Sequence, residues 1–420
     1  MVKIRILGGG REVGRMGLVI ESGKTNVLLD YGISIGDEIP EFPLSYPPKK
    51  IDAIFLTHAH LDHSGAIPLM YISERIPFYT NKLTLELSEL LIRDFLKISG
   101  YYSPYEILEL RSMLSCFRPI DYGRTMKFKD ITVKFEDAGH IPGSSFISLR
   151  LEDHNILYTS DFNLIETCLL SSAKINVKEF DLIITEATYA DFSHPDREKV
   201  EKKFIESVKE VVENDGTVLV PAFAVGRSQE IICILEKYRL DYPIFIDGMA
   251  IKVSNIFLKY KQFLKKKCLF EKAYKKVHII DSWKKRRKAI KTPGIIVSPA
   301  GMLKGGSSVF YAKKIAKNKK NGIYMVSYQG ENTPGRTILT DGVFEYENKS
   351  IAVKARLEWF DFSSHSGRKE LIDFINKVSS NTKIIIVHSE RESGERFKNF
   401  LIKKYGLDAY FPETGEVLTL

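Results

Sequence analysis

The chain has 420 residues, 44% of them hydrophobic, enough to bury a full core as one large or two interleaved domains without disulfide staples. Its four cysteines (Cys116, Cys168, Cys233, Cys268) form no C-x-x-C pair, which argues against a disulfide framework or a cysteine-based zinc knuckle and fits a reducing cytoplasm. With 62 Lys and Arg against 53 Asp and Glu, the net charge of +9 favours polyanionic partners but excludes few other basic proteins.

The opening MVKIRILGGGREVGR has charges inside its apolar run and no small-residue cleavage site. No later stretch gives about eighteen apolar residues, so neither secretion nor a membrane span is expected. Short strands joined by tight turns are predicted at residues 3–7, 16–21 and 25–30, followed by a nearly unbroken apolar strand at 51–56. Helical spacing predicts a helix at 82–99 and a second at 104–116. Strands return at 131–136, 145–151, 155–159 and 181–185, each bounded by Gly, Asp, Asn or Pro.

After Glu186 the texture changes to alternating helices and strands: helix 197–212, strand 217–220, helix 228–238, strand 243–246, then strands 294–298 and 322–326. A strand at 351–358 leads back to a segment that again has histidines at strand ends. An inserted domain accounts for this order. There is no repeat of fixed period and no low-complexity tract beyond a few lysines.

Thr57-His58-Ala59-His60-Leu61-Asp62-His63 follows the apolar strand directly, placing four candidate ligands in six residues. Zinc takes imidazole nitrogen and carboxylate oxygen at about 2.0–2.2 Å, so several such groups must converge on one small volume, which a rigid strand-end turn achieves. Further donors stand at other strand ends: His140, Asp161 and His388. Each of these alone reads equally well as a turn, a cap or a hydrogen-bonded histidine; the cluster turns them into ligand candidates.

The pattern resembles the metallo-β-lactamase superfamily, in which H-x-H-x-D-H precedes a distant His, an Asp and a final His. The inserted region carries Thr185-Glu186-Ala187-Thr188, Pro221-Ala222-Phe223-Ala224-Val225-Gly226-Arg227, Ser298-Pro299-Ala300-Gly301-Met302 and Asn332-Thr333-Pro334-Gly335-Arg336. With Ser363-Ser364-His365-Ser366-Gly367 and Val387-His388-Ser389 after it, the chain resembles the β-CASP nucleases, most closely the archaeal members of the cleavage and polyadenylation specificity factor group. Ser389 stands where that family usually has glycine, and Pro334 sits in a loop that usually lacks proline. No KH-type extension is expected ahead of the catalytic domain.

The resemblance implies an α/β fold, an αββα sandwich with an inserted α/β domain. Residues 1–188 and 355–420 would form the two parts of the sandwich, and 189–354 the β-CASP domain. It also implies two zinc ions: His58, His60 and His140 on one, Asp62, His63 and His388 on the other, Asp161 bridging, and Asp30 orienting the ligand loop from behind. A metal-bridged hydroxide would attack phosphorus, with Asp62 among the catalytic residues and His365, supported by Glu186, as general acid.

The substrate implied is RNA, single-stranded by preference, cut during 3′-end processing or decay. Arg227, Arg336, Ser363, Ser364 and Ser366 are candidate phosphate contacts, although each arginine could equally form a salt bridge and each serine a turn or cap. Lys284-Lys285-Arg286-Arg287-Lys288 reads as a solvated helix face or an RNA contact. Alternatives are a 5′-to-3′ exoribonuclease of the RNase J type, a silent RNA-binding subunit, or a small-molecule hydrolase. A homodimer or a cleavage-complex partner is compatible with the sequence. His154, read as part of an Asp-His-Asn turn, His194 and His278 need no special role.

Overall fold

The computed structural model describes residues 2–35, 39–151, 154–175, 180–330, 332–347, 349–378 and 381–420. They divide into two compact units, Met1–Glu166 with Ser172–Ser193 and Ser364–Leu420, and Thr167–Ser171 with His194–Ser363.

The first unit stacks two seven-stranded sheets between helices. Period-two alternation aims Ile4 and Ile6 of strand Lys3–Gly8 into the space between the sheets, where they meet Val133, Phe135, Leu149, Ile156 and Ile184. Residues from the outer face of one sheet, Val19, Leu28 and Ile54, pack on Ile92 and Phe95 of helix Lys82–Ser99 and on Leu110 and Met113 of helix Ile107–Ser115. Those of the other, Leu157, Ile183, Ile384 and Ile386, pack on Leu371 and Phe374 of helix Arg368–Ile375 and on Phe397 and Leu401 of helix Arg391–Tyr405. This is the αββα order the sequence implied.

Strand direction makes one edge of this sandwich chemically distinct. Asn26–Tyr31 runs parallel to Ala53–Phe55 in one sheet. In the other, Ile131–Asp137 and His154–Tyr158 are both antiparallel to Ser145–Leu151 and therefore point the same way, and Leu182–Glu186 and Lys383–Val387 run parallel to His154–Tyr158. All their carboxyl ends consequently emerge together, and the candidate ligands follow those ends.

The second unit has a six-stranded sheet in which every pairing is parallel, in the order His278–Ile280, Ile244–Asp247, Gly294–Pro299, Thr217–Ala222, Gly322–Met325, Arg356–Trp359. The single strand expected at 351–358 is in fact two elements. Lys349–Ala352 forms a hairpin with Val343–Tyr346, and Arg356–Trp359 is an edge strand of the parallel sheet. Between them the amide of Val353 turns to the carbonyl of Gly342, and those of Lys354 and Ala355 to the carbonyl of Ala316. Val353-Lys354-Ala355 holds no Gly, Pro, Asn or Asp to signal such a break.

Candidate metal centre

Seven donors converge at the carboxyl edge of the first unit. His58, His60, His140 and Asp161 bring one ligand atom each within 4.8 Å of one another, and so do Asp62, His63 and His388. Asp161 lies between the two groups: its Oδ2 is 3.6, 3.5 and 3.7 Å from Nε2 of His58, His63 and His140, and its Oδ1 is 3.5 Å from Nδ1 of His388. His388 Nε2 is 3.4 Å from Asp62 Oδ2.

Two donors each about 2.1 Å from one tetrahedral ion lie about 3.4 Å apart, so these separations suit a metal better than hydrogen bonds. Burial makes the same point. The Nε2 atoms of His58, His63 and His388 and Oδ1 of Asp161 are buried and take no hydrogen bond among the described residues. Such groups cost free energy unless a cation or proton satisfies them.

The surrounding residues decide which nitrogen faces inward. His63 Nδ1 is 2.8 Å from Asp30 Oδ2, and His140 Nδ1 is 2.9 Å from the carbonyl of Ser364. Thr57 Oγ1 donates to Asp30 Oδ2 at 2.8 Å and so accepts from His58 Nδ1 at 3.1 Å. Thr188 Oγ1 donates to the carbonyl of His388 and accepts from His388 Nδ1, both at 3.1 Å. With each Nδ1 protonated and anchored, each Nε2 keeps its lone pair for a metal. His60 differs, with Nδ1 facing His140 Nε2 at 3.2 Å.

Asp30 is fully buried and also accepts from the Thr57 amide at 2.8 Å and the Tyr158 hydroxyl at 2.9 Å. Asp30, Ser160 and His388 all hold positive φ without being glycine, at 54°, 49° and 50°. Backbone strain of this kind persists where surrounding contacts over-determine it.

Burial and the neighbouring imidazoles push His58 and His140 well below the usual histidine range, and burial lowers His60, so all three are neutral donors. Burial opposes charge on Asp161 and Asp62 too, yet His388 and His63 overcome it and hold both carboxyls down. On His63, Asp161 and Asp30 outweigh burial and push its pKa up. The neutral His58, His60 and His140 and the ionised carboxylates are what a divalent cation needs, whereas His63 gives up its extra proton when it ligates one.

Beside this cluster His365 Nδ1 bonds Glu186 Oε1 at 2.9 Å, and the buried Glu186 also accepts from the amides of Phe162 and Thr188, each at 3.2 Å. Burial would lower His365, but Glu186, Asp161 and Asp62 raise it to about 9. Its ring stands 4.5 Å from that of His140 and 5.8 Å from that of Tyr189.

Other candidates fare differently. Ser366 is fully buried, its hydroxyl accepting from the Leu164 amide and donating to the Phe162 carbonyl, each at 3.2 Å, which removes that hydroxyl from the expected anion pocket. Ser363 belongs to the second unit, where its carbonyl faces Arg197 at 3.5 Å. Arg227, in the same unit, is buried close enough to Asp361 to help hold that carboxyl down, whereas Arg336 is exposed on helix Pro334–Asp341. His154 opens strand His154–Tyr158, paired with Leu151, rather than sitting in a turn. His194 is bound to Asp361 at 2.6 Å. Ser389 is accommodated in place of glycine because its hydroxyl donates to the Ala187 carbonyl at 2.9 Å.

Thr57, Tyr158, Ser160 and Thr188 were not singled out in the sequence. Hydroxyls next to ligands, in Thr57-His58, Tyr158-Thr159-Ser160-Asp161 and Glu186-Ala187-Thr188, were the available signal.

A fourth group, Cys168, Glu201 and Glu230, is buried in the second unit, but Arg197 and Lys237 already neutralise its carboxylates.

Comparison with known proteins supplies the lineage. Residues 228–338 match the Beta-Casp domain, 350–412 the Zn-dependent metallo-hydrolase RNA specificity domain, and 12–202 the Anti-Pycsar protein Apyc1 family. RNase aCSPSF2 of Saccharolobus solfataricus is 40% identical over 420 residues, covering 99% of this chain and 85% of the relative. The chain belongs to the archaeal β-CASP ribonucleases of the cleavage and polyadenylation specificity factor type. Within that family, Probable RNase MJ4 of Methanocaldococcus jannaschii is 36% identical with both chains fully covered. Transcription termination factor FttA of Pyrococcus abyssi is 32% identical over all of this chain and 71% of its own length. A solved structure of a protein of unknown function from Enterococcus faecalis shares the fold at a TM-score of 0.64 and 15% identity, with both chains fully covered. The β-CASP family and the donor set together make this a metal-binding centre.

Proposed function

We propose that the protein is a two-zinc endoribonuclease that hydrolyses internal phosphodiester bonds of single-stranded RNA in a reducing cytoplasm, during 3′-end processing or termination. The observation that carries this is Asp161, whose Oδ2 lies 3.5–3.7 Å from Nε2 of His58 and His140 in one triad and of His63 in the other. His58, His60 and His140 would hold one ion, Asp62, His63 and His388 the other, with Asp161 shared. Such a pair supplies an activated water at neutral pH and neutralises charge on the phosphate.

The chain's own residues supply the rest. Asp30 fixes His63 and, through Thr57, His58. Glu186 keeps a proton on His365, which would give a proton to a leaving 3′ oxygen, so the products would carry 5′ phosphate and 3′ hydroxyl. The spent hydroxyl of Ser366 weakens a pocket for a terminal phosphate, which favours internal cuts over 5′-end-dependent trimming.

The test is cleavage of a long RNA bearing either a 5′ monophosphate or a 5′ triphosphate, by wild type and Asp62→Asn, in zinc or manganese. Internal cuts in both RNAs, lost in the mutant, are expected. Mononucleotide release from the monophosphate alone would replace this reading with an exonuclease, and no cleavage by wild type would favour the silent subunit.

A further inference from the structure

The helix Trp283–Ala289 separates the basic run into two kinds of cation. Arg286 turns inward, its Nε and Nη2 reaching Asp247 at 2.7 and 3.0 Å, and the Tyr311 hydroxyl donates to the same fully buried carboxylate at 2.6 Å. Lys285 pairs with Asp281 at 2.7 Å. Lys284, Arg287 and Lys288 are exposed and form no ion pair among the described residues.

Trp283, at the start of this helix, is 57% exposed. Its indole is nevertheless held in place. Phe310 meets it in a T-shaped contact with centroids 5.3 Å apart, and the Arg286 guanidinium lies 4.8 Å from its centroid. Because Arg286 is itself pinned by Asp247, the ring is fixed from below by a chain ending in a buried carboxylate. Helical spacing puts Arg287 on the side of Trp283 at i+4, with Lys284 and Lys288 forming the adjoining row.

We propose that this face is a second RNA-binding site, in which one base of a single strand stacks on Trp283 while Lys284, Arg287 and Lys288 pair with neighbouring phosphates. A rigid exposed ring calls for a partner with a flat π-face, and unpaired cations beside it call for a chain of anions. Single-stranded RNA offers both, whereas a duplex hides the faces of its bases and an acidic peptide has none. Stacking reads any base, so the site grips RNA without choosing a sequence. RNA, rather than another single strand, is taken from the proposed function, but the binding signal below does not depend on cleavage.

The chain has two tryptophans, so Trp359→Phe leaves Trp283 as the sole indole. In that protein, made cleavage-silent with Asp62→Asn, titration with an oligouridylate of about twenty nucleotides should quench the fluorescence to saturation. Adding Trp283→Ala, followed by anisotropy of labelled RNA, should weaken binding about tenfold, with Trp283→Phe intermediate. Replacing Lys284, Arg287 and Lys288 together by glutamine should flatten the slope of log affinity against log salt by about 2.

Unchanged fluorescence at saturating RNA, with equal affinity for Trp283→Ala, overturns the site. Equal quenching by oligoglutamate overturns it in favour of an acidic protein. Quenching by RNA alongside a wild type that cuts nothing leaves this site standing and removes the ribonuclease reading instead.

Discussion

His365 and Glu186 show how little a residue's identity says about its role until its neighbours are known. The buried His58 is driven neutral by burial and the imidazoles around it, whereas His365 is held protonated because the Glu186 carboxylate faces its Nδ1. His365→Ala should lower kcat by about 10²–10⁴-fold. Metal content measured by elemental analysis should stay at the wild-type value, because His365 stands beside both triads rather than in them; loss of metal would make it a ligand instead. Asp137 offers a test of stability at the same scale. Burial raises its carboxyl to about 6, partly offset by the Gly139 amide that donates to it at 2.9 Å. Between the ordinary aspartate range and about 6 the folded chain binds more protons than the unfolded one, so this group's contribution falls as pH rises through that window. Asp137→Asn, whose amide oxygen can still accept from Gly139, should therefore raise stability by about 2–3 kcal/mol at pH 8 and by about half that at pH 5, read from urea unfolding.

At the scale of elements, the carboxyl edge depends on one close approach. A Cβ on Gly32 would stand 1.8 Å from the carbonyl oxygen of Asp62, and that same carbonyl accepts the Met16 amide at 2.7 Å. Gly32→Ala should push the Asp62 turn outward and lower metal affinity at the Asp62–His63–His388 triad, measured by competition with a chelator, more than it lowers the melting temperature. The edge itself was legible in the sequence. His58, His140, Asp161 and His388 all follow apolar or alternating runs, and a strand's end is a local property that periodicity and turn residues report. Ser366 was not legible: its hydroxyl is spent on Leu164 and Phe162, some two hundred positions away, and no local pattern encodes such partners. Helices Met249–Lys259 and Lys267–Lys276 escaped for another reason, since lysines interrupt an apolar stripe that only tertiary packing completes. The break at Val353–Ala355 was invisible because no Gly, Pro, Asn or Asp marks it.

At the scale of the whole molecule, five residues, Thr167–Ser171, are built into the second unit although their chain neighbours belong to the first. Glu230 holds them, accepting the amides of Cys168 and Leu169 at 2.9 and 2.8 Å while pairing with Arg197 at 2.6 Å. Glu230→Ala would leave two amides and a cation without their acceptor in a buried setting, and a loss of about 3–5 kcal/mol is expected, seen as a lowered melting temperature. A change below about 1 kcal/mol would mean that solvent reaches the network.

The order of the metal donors along the chain has a consequence for how the protein is made. His58, His60, Asp62, His63, His140 and Asp161 precede the inserted unit, whereas His365 and His388 follow it. A ribosome therefore supplies the other donors, and Glu186, before it reaches His365 and His388. A growing or prematurely stopped chain lacks His365 and one of the three donors in the Asp62–His63–His388 group. On the roles proposed for His365 and His388, the centre is therefore complete only after the whole inserted unit has been made.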